Sequence, residues 1–119
     1  MTTDDVATRI RDLYRAFNAR EIDEILAHTT ADLDWPNAWE GGRVVGHEAV
    51  RAYWTRQWAA IDPSVEPVSI EVRADGSVVV DVAQSVRDLD GALISEGRVL
   101  HVYVLKDDLF ARMDVQERI

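Results

Sequence analysis

The chain, residues 1–119, reads as one α+β domain in which helices lead and an antiparallel sheet follows. Three observations predict this. Apolar residues recur with a helical period as far as Ile61 and with a period of two from Val68 onward. Asp75-Gly76 and Asp90-Gly91 divide the alternating half where hairpin turns belong. Pro36 and Pro63 stand where a strand and a helix have to stop.

The elements follow in order. Thr3 is placed to cap a first helix whose apolar stripe is Val6, Ile10, Leu13, Tyr14 and Phe17, with Asp4 and Asp5 complementing the dipole in its first turn. Asn18-Ala19-Arg20 interrupts the stripe. A short second helix turns Ile22, Ile25 and Leu26 inward and ends near His28. Ala31 to Trp35 predicts a short strand, and Gly41-Gly42 with Gly46 a loop. A third helix carries Val50, Tyr53, Trp54, Gln57, Trp58 and Ile61 on one stripe. Four strands then form a meander. Val68, Ile70 and Val72 share a face of the first. Val78, Val80, Val82, Gln84 and Val86 share a face of the second. Ile94 to Leu105 and Phe110 to Gln116 join through Lys106-Asp107-Asp108.

Composition narrows the function. With 22 acidic against 13 basic residues the formal charge is -9, and the one lysine is Lys106. Such a field repels nucleic acid and anionic membrane surfaces, so neither is expected as a partner. The absence of cysteine excludes disulfides, thiol nucleophiles and thiolate metal sites. His28, His47 and His101 are too scattered for a zinc or iron site, and no phosphate loop occurs, so no metal and no cofactor is expected. The start Met1-Thr2-Thr3-Asp4-Asp5 lacks the apolar core of a signal peptide, and no apolar run approaches the ~18 residues that span a bilayer. A cytoplasmic location is the expectation.

Several local strings, in this order, resemble the NTF2-like superfamily, which includes SnoaL-like polyketide cyclases, ketosteroid isomerases and non-catalytic binding proteins. They are Phe17-Asn18-Ala19-Arg20-Glu21-Ile22, Gly46-His47-Glu48-Ala49-Val50, His101-Val102-Tyr103-Val104-Leu105 and Ala111-Arg112-Met113-Asp114-Val115. The resemblance implies a cystatin-like cone: three N-terminal helices packed on a curved antiparallel sheet, with a mouth that admits a small apolar molecule. Isomerases of this kind carry a carboxylate just before a proline on the first short strand. This chain has Trp35-Pro36 there, and Asp34 points to the opposite face. Tyr14 lies one position from the isomerase tyrosine of helix one, and His101 replaces the protonated acid. SnoaL-like cyclases carry a histidine on the penultimate strand and an aspartate on the last, and His101 and Asp114 match those places by local string. The turn between them is about one residue shorter here, and a slip of one residue would turn Asp114 to the other face.

The residues themselves leave alternatives open. His101, with Val99 and Tyr103 on its face, suits acid/base chemistry in a pocket, or it is a core histidine bonded to a backbone carbonyl, or one exposed on the outer face. Asp114 is a base raised by apolar walls, or a surface carboxylate paired with Arg112 or Arg118. Trp35, Trp39, Trp54 and Trp58 serve as core, as walls for a flat ligand, or as both. Tyr14 and Gln84 are polar groups on inward faces and need partners, either a ligand or the protein. Phe17 and Met113 complete the expected binding wall. Leu100, Val102 and Val104, opposite His101, predict a homodimer packed through the sheets.

Two functions are therefore carried forward. One is a cofactor-free cyclase or isomerase acting on a hydrophobic carbonyl compound, polyketide-like or steroid-like, with Asp114 as base and His101 as proton donor. The other is a non-catalytic ligand-binding or dimeric interaction module using the same cavity.

Overall fold

The computed structural model of the chain describes residues 2–117. Helix α1 spans Thr3–Asn18, and its cap is Thr2, not Thr3. The Thr2 hydroxyl accepts from the Asp5 N–H at 3.1 Å, and the Asp5 carboxylate accepts from the Thr2 N–H at 3.2 Å. This reciprocal box satisfies two donors that a helix start would otherwise leave open. Val6, Ile10, Leu13 and Tyr14 form its buried stripe, as the period requires. Helix α2 is Ile22–Ala27 and β1 is Thr29–Pro36. A strand that the sequence pattern did not reveal, β2 at Arg43–Val45, lies between the glycines of the loop. Gly46, at φ 93°, then opens α3, His47–Ala60. That backbone angle suits a residue without Cβ.

The remaining strands are β3 (Asp62–Val72), β4 (Val78–Arg87), β5 (Leu93–Lys106) and β6 (Leu109–Glu117). They pair as the expected meander, and the six strands run in the order β2-β1-β6-β5-β4-β3. The sheet is mixed rather than antiparallel, because β1 lies parallel to β6. The helices also are not all N-terminal to the sheet: α3 follows β1 and β2. The sheet curves so that α1 meets β3 while α3 meets β1 and β2. Ile10, Leu33, Val50, Trp54, Val80 and Phe110 fill the enclosed core.

Irregularities in the strands decide which side chains reach that interior. In β3, Pro67 pairs with Val82 and Ser69 with Asp81, so Val68 bulges out and stands 52% exposed. It does not share the inward face of Ile70 and Val72, contrary to the simple alternation. In β6, Leu105 pairs with Phe110 but Val104 pairs with Arg112, which leaves Ala111 as an extra residue. Phe110 and Met113 both point inward as a result, and everything between and beyond them shifts by one. The turn before β6 is a two-residue one, with Asp107 and Asp108 at φ 52° and 65°. Two successive positive angles are what a type I′ hairpin needs, and aspartate tolerates them better than most residues.

Candidate functional site

His101 lies midway along β5, paired to Val80 on β4 and to Val115 on β6. It is 7% exposed. Its Nδ1 is 2.6 Å from the Tyr14 hydroxyl, and the Tyr103 hydroxyl donates to the Tyr14 oxygen at 2.9 Å. With Tyr103 donating to Tyr14, the arrangement that gives each proton of the set a partner has Tyr14 donating to Nδ1 and the imidazole hydrogen on Nε2. Burial pushes the His101 pKa down to about 4, so the ring is neutral at physiological pH. Burial likewise raises Tyr14 and Tyr103, so both phenols keep their protons. Nε2 makes no hydrogen bond within the described residues.

His101 borders two adjacent hollows that share four lining residues. The outer chamber has a cavity volume of about 400 Å³ and opens between Trp39, Ile94 and Val115. Trp35, Trp54, Met113, Gln57 and Gln84 line its body. The inner chamber is far smaller, about 30 Å³, and is lined further by Leu13, Tyr14, Ile25 and Tyr103. Phe17, Trp35, Val65 and His101 border both. Apart from the neutral His101, no acidic or basic side chain among the described residues lines either chamber. The amides of Gln57 and Gln84 make no hydrogen bond within the described residues, which leaves both available toward the cavity.

The aromatic walls are built edge to face. Trp35 meets Trp54 at 84° with centroids 5.2 Å apart, and Phe17 meets Trp58 at 78° and 5.1 Å. Trp58 itself lines neither chamber, contrary to expectation. It stacks behind Trp54 at an interplanar angle of 12°, with the Arg20 guanidinium 4.8 Å over its ring. The Nε1–H groups of Trp54 and Trp58 are buried without an acceptor, an unfavourable arrangement that presents flat carbon to the interior.

Asp114 is not part of this site. Met113 and Val115 line the outer chamber, so Asp114 between them projects from the opposite face of β6. There it accepts from Arg112 at 2.9 and 3.1 Å and from Arg43 at 3.0 Å. These two guanidiniums, Arg112 foremost, hold its carboxyl below the usual range despite partial burial. Asp34, also outward, bonds both arginines, at 2.5 Å to Arg43 and 2.8 Å to Arg112. The physical cause is the Ala111 bulge. Had the Leu105–Phe110 register continued, Asp114 would have faced His101 across the ladder, but Arg112 would have been driven into the core. Burying an unpaired guanidinium costs more than one bulge. Arg118, the other expected partner of Asp114, lies outside the described residues.

Of the residues predicted for the site, His101, Tyr14, Phe17, Trp35, Trp54, Gln84 and Met113 border the two chambers. Other residues border the chambers without a signal in the sequence, Tyr103, Val65 and Gln57 among them. Tyr103 reads as an apolar neighbour of His101, although two phenols and an imidazole on facing inward stripes form a set that can satisfy itself. Val65 precedes the alternating run and carried no signal. Gln57 was read as part of the apolar stripe of its helix. The remaining histidines are structural: His28 ends α2, and His47 Nε2 bonds Thr29 Oγ1 at 2.8 Å.

A mixed sheet curved over three helices around a neutral, aromatic-walled cavity defines the cystatin-like class of NTF2-like α+β domains. The chain belongs to the SnoaL-like domain family, whose model matches residues 10–113. Among solved structures it is similar to TerC co-crystallised with polyporic acid, at 22% identity and a TM-score of 0.78, over 92% of this chain and 88% of that one. A candidate polyketide cyclase from Sinorhizobium meliloti gives 21% and 0.78, over 98% of this chain and 100% of the other. A Mycobacterium tuberculosis protein in complex with estradiol-17beta-hemisuccinate gives 20% and 0.76, over 96% and 92%. At these identities the likeness is one of fold. No curated protein sequence matches the chain. Among the described residues no helix is long and apolar enough to cross a membrane.

Proposed function

We propose that the chain binds a flat, uncharged, hydrophobic carbonyl compound in its outer chamber, with the His101 Nε2–H donating to the carbonyl oxygen. The observation that carries this is the capped imidazole: Nδ1 is occupied by Tyr14, and among the described residues Nε2 has no protein partner and no charged side chain borders the cavity. A charged ligand would enter this interior without a counter-charge and at a desolvation cost of several kcal/mol. A flat ring system matches the indole walls, and the Gln57 and Gln84 amides offer further contacts to polar substituents. Relatives of the same fold were crystallised with polyporic acid and with estradiol-17beta-hemisuccinate, ring compounds that each carry an acidic group, which supports the flat ring system and not the absence of charge.

Acid/base ring closure with Asp114 as base finds no support, since that carboxylate lies across the sheet. A second reading retains chemistry of a narrower sort. A neutral imidazole N–H stabilises a developing enolate oxygen, and because no carboxylate lines either chamber the α-proton passes to solvent water; membership of a family whose fold relatives include a candidate polyketide cyclase favours keeping it. Titration with a panel of aromatic ketones, followed by tryptophan fluorescence and by mass spectrometry of the released compound, separates the two. A binding module returns each compound unchanged, and an enzyme returns an altered one. Loss of binding on Asp114→Asn but not on His101→Gln would overturn the proposal.

The proposal extends to a homodimer formed through the outer sheet face. Val104 on that face is 46% exposed, whereas Val79 and Val102, paired across β4 and β5, are already covered within the single chain at 7% and 8%.

A further inference from the structure

The two chambers differ in what they can hold. The outer one, at about 400 Å³, accommodates a ring system. The inner one, at about 30 Å³, has room for one or two groups of the size of a water or a methyl. Its polar neighbours are already spent, because Tyr103 donates to Tyr14 and Tyr14 to Nδ1 of His101. A water there would find too few of the two to four partners it needs. An apolar group suits it instead.

The neck between the chambers is fixed. His101 stands in it together with Phe17, Trp35 and Val65. Asn18, at the end of α1, grips the Val65 backbone at both groups: its amide nitrogen donates to the Val65 carbonyl at 2.7 Å, and its oxygen accepts from the Val65 N–H at 2.9 Å. Because His101 borders both hollows, a ketone whose oxygen meets Nε2 there can place its ring in the larger chamber and its second substituent in the smaller.

We infer that the inner chamber is the subsite for the short alkyl substituent of the bound ketone, and that it limits this substituent to one or two carbons. The ligand class is thereby narrowed to aryl methyl or ethyl ketones and ring ketones bearing a methyl beside the carbonyl. This inference rests on the proposed hydrogen bond from His101. Leu13, Ile25 and Val65 set the limit, with Val65 the one at the neck.

Equilibrium dialysis with four probes tests it: 2-acetylnaphthalene, 2-propanoylnaphthalene, 2-butanoylnaphthalene and 2-isopropenylnaphthalene, the last matching the acetyl compound in shape without its oxygen. The acetyl compound should bind at least about tenfold more tightly than the butanoyl one, the usual discrimination of a filled apolar pocket against extra methylenes. Val65→Ala should bring the butanoyl compound to within about threefold of the acetyl compound, by the same arithmetic of methylene-sized space. Leu13→Ala, which widens the far end, serves if the neck variant is unstable. Equal binding along the acyl series, with acetyl still preferred over isopropenyl, overturns the chamber and leaves the His101 contact standing. Length discrimination with the isopropenyl compound bound as well as the acetyl overturns the His101 contact alone. No binding of any of the four overturns both.

Discussion

Tyr14 on the first helix and His101 on the fifth strand stand 87 positions apart in sequence and 2.6 Å apart in the fold. That hydrogen bond decides which imidazole nitrogen the cavity meets. Tyr14→Phe would leave Nδ1 buried without a donor, which costs about 1–3 kcal/mol of stability. It would also free the ring to change tautomer, so affinity for a ketone probe should fall. Tyr103→Phe leaves the Tyr14 contact in place and should cost about 1 kcal/mol, the worth of one ordinary hydrogen bond. Chemical denaturation measures the stabilities. Nitrogen NMR of the imidazole should find Nε2 protonated and Nδ1 bare in the parent chain, and a mixture in Tyr14→Phe.

Acid should weaken the fold through the same residue. In the native chain His101 takes up its proton only near pH 4, against the ordinary value of 6.5. Between those values the unfolded chain binds a proton that the native chain refuses. Stability therefore falls as pH drops below about 6.5, and the loss levels off below about 4. At pH 5 the loss relative to pH 7 should be about 2 kcal/mol. Urea unfolding of the parent and of His101→Gln at the two pH values isolates this contribution, because the other titrating groups are common to both. A pH difference identical in the two proteins would contradict it.

Asp114→Asn should leave ketone binding unchanged, because the carboxylate lies on the far face of β6. Its stability cost should stay under about 1 kcal/mol, as for other solvent-reached ion pairs, and should shrink further in high salt. Paired dialysis and denaturation measurements check both halves of the statement.

Light scattering at micromolar concentration should report a dimer for the parent chain. Val104→Arg places a charge on the outer sheet face and should give a monomer whose ketone affinity is retained, since Val104 borders neither chamber. A parent chain already monomeric would remove the dimer.

What was legible in the sequence was whatever rests on an uninterrupted period. The buried stripes of α1 and α3 are such cases, as are the valines of β4 and the four-strand meander. Trp35 before Pro36 announces an aromatic wall where an isomerase has its base, and Trp35 borders both chambers. What was illegible depends on single residues that break a period. β2 is too short at three residues to show alternation. The bulges at Val68 and Ala111 leave no compositional mark, because a bulge is chosen by which side chains the partner strand will accept. Asp114 was misplaced for that reason. Tyr103 escaped for another: a buried phenol on a strand looks like any core aromatic until its hydroxyl is traced to Tyr14.

The extra residue in β6 behaves as a vernier between two scales of pairing. Counted from the turn, Phe110 sets one phase; counted from His101, Val115 sets another, and Ala111 absorbs the difference. The choice of phase rests on which of two neighbours, Arg112 or Met113, the interior takes. Exchanging those two residues, by Arg112→Met with Met113→Arg, would reward the unbulged phase and turn Asp114 toward His101. A raised imidazole pKa in that double variant would report the change. The sign of charge inside this cavity is thus written in the order of two adjacent letters, and the step from an uncharged container to an acid/base site is short in sequence although it crosses the whole thickness of the sheet.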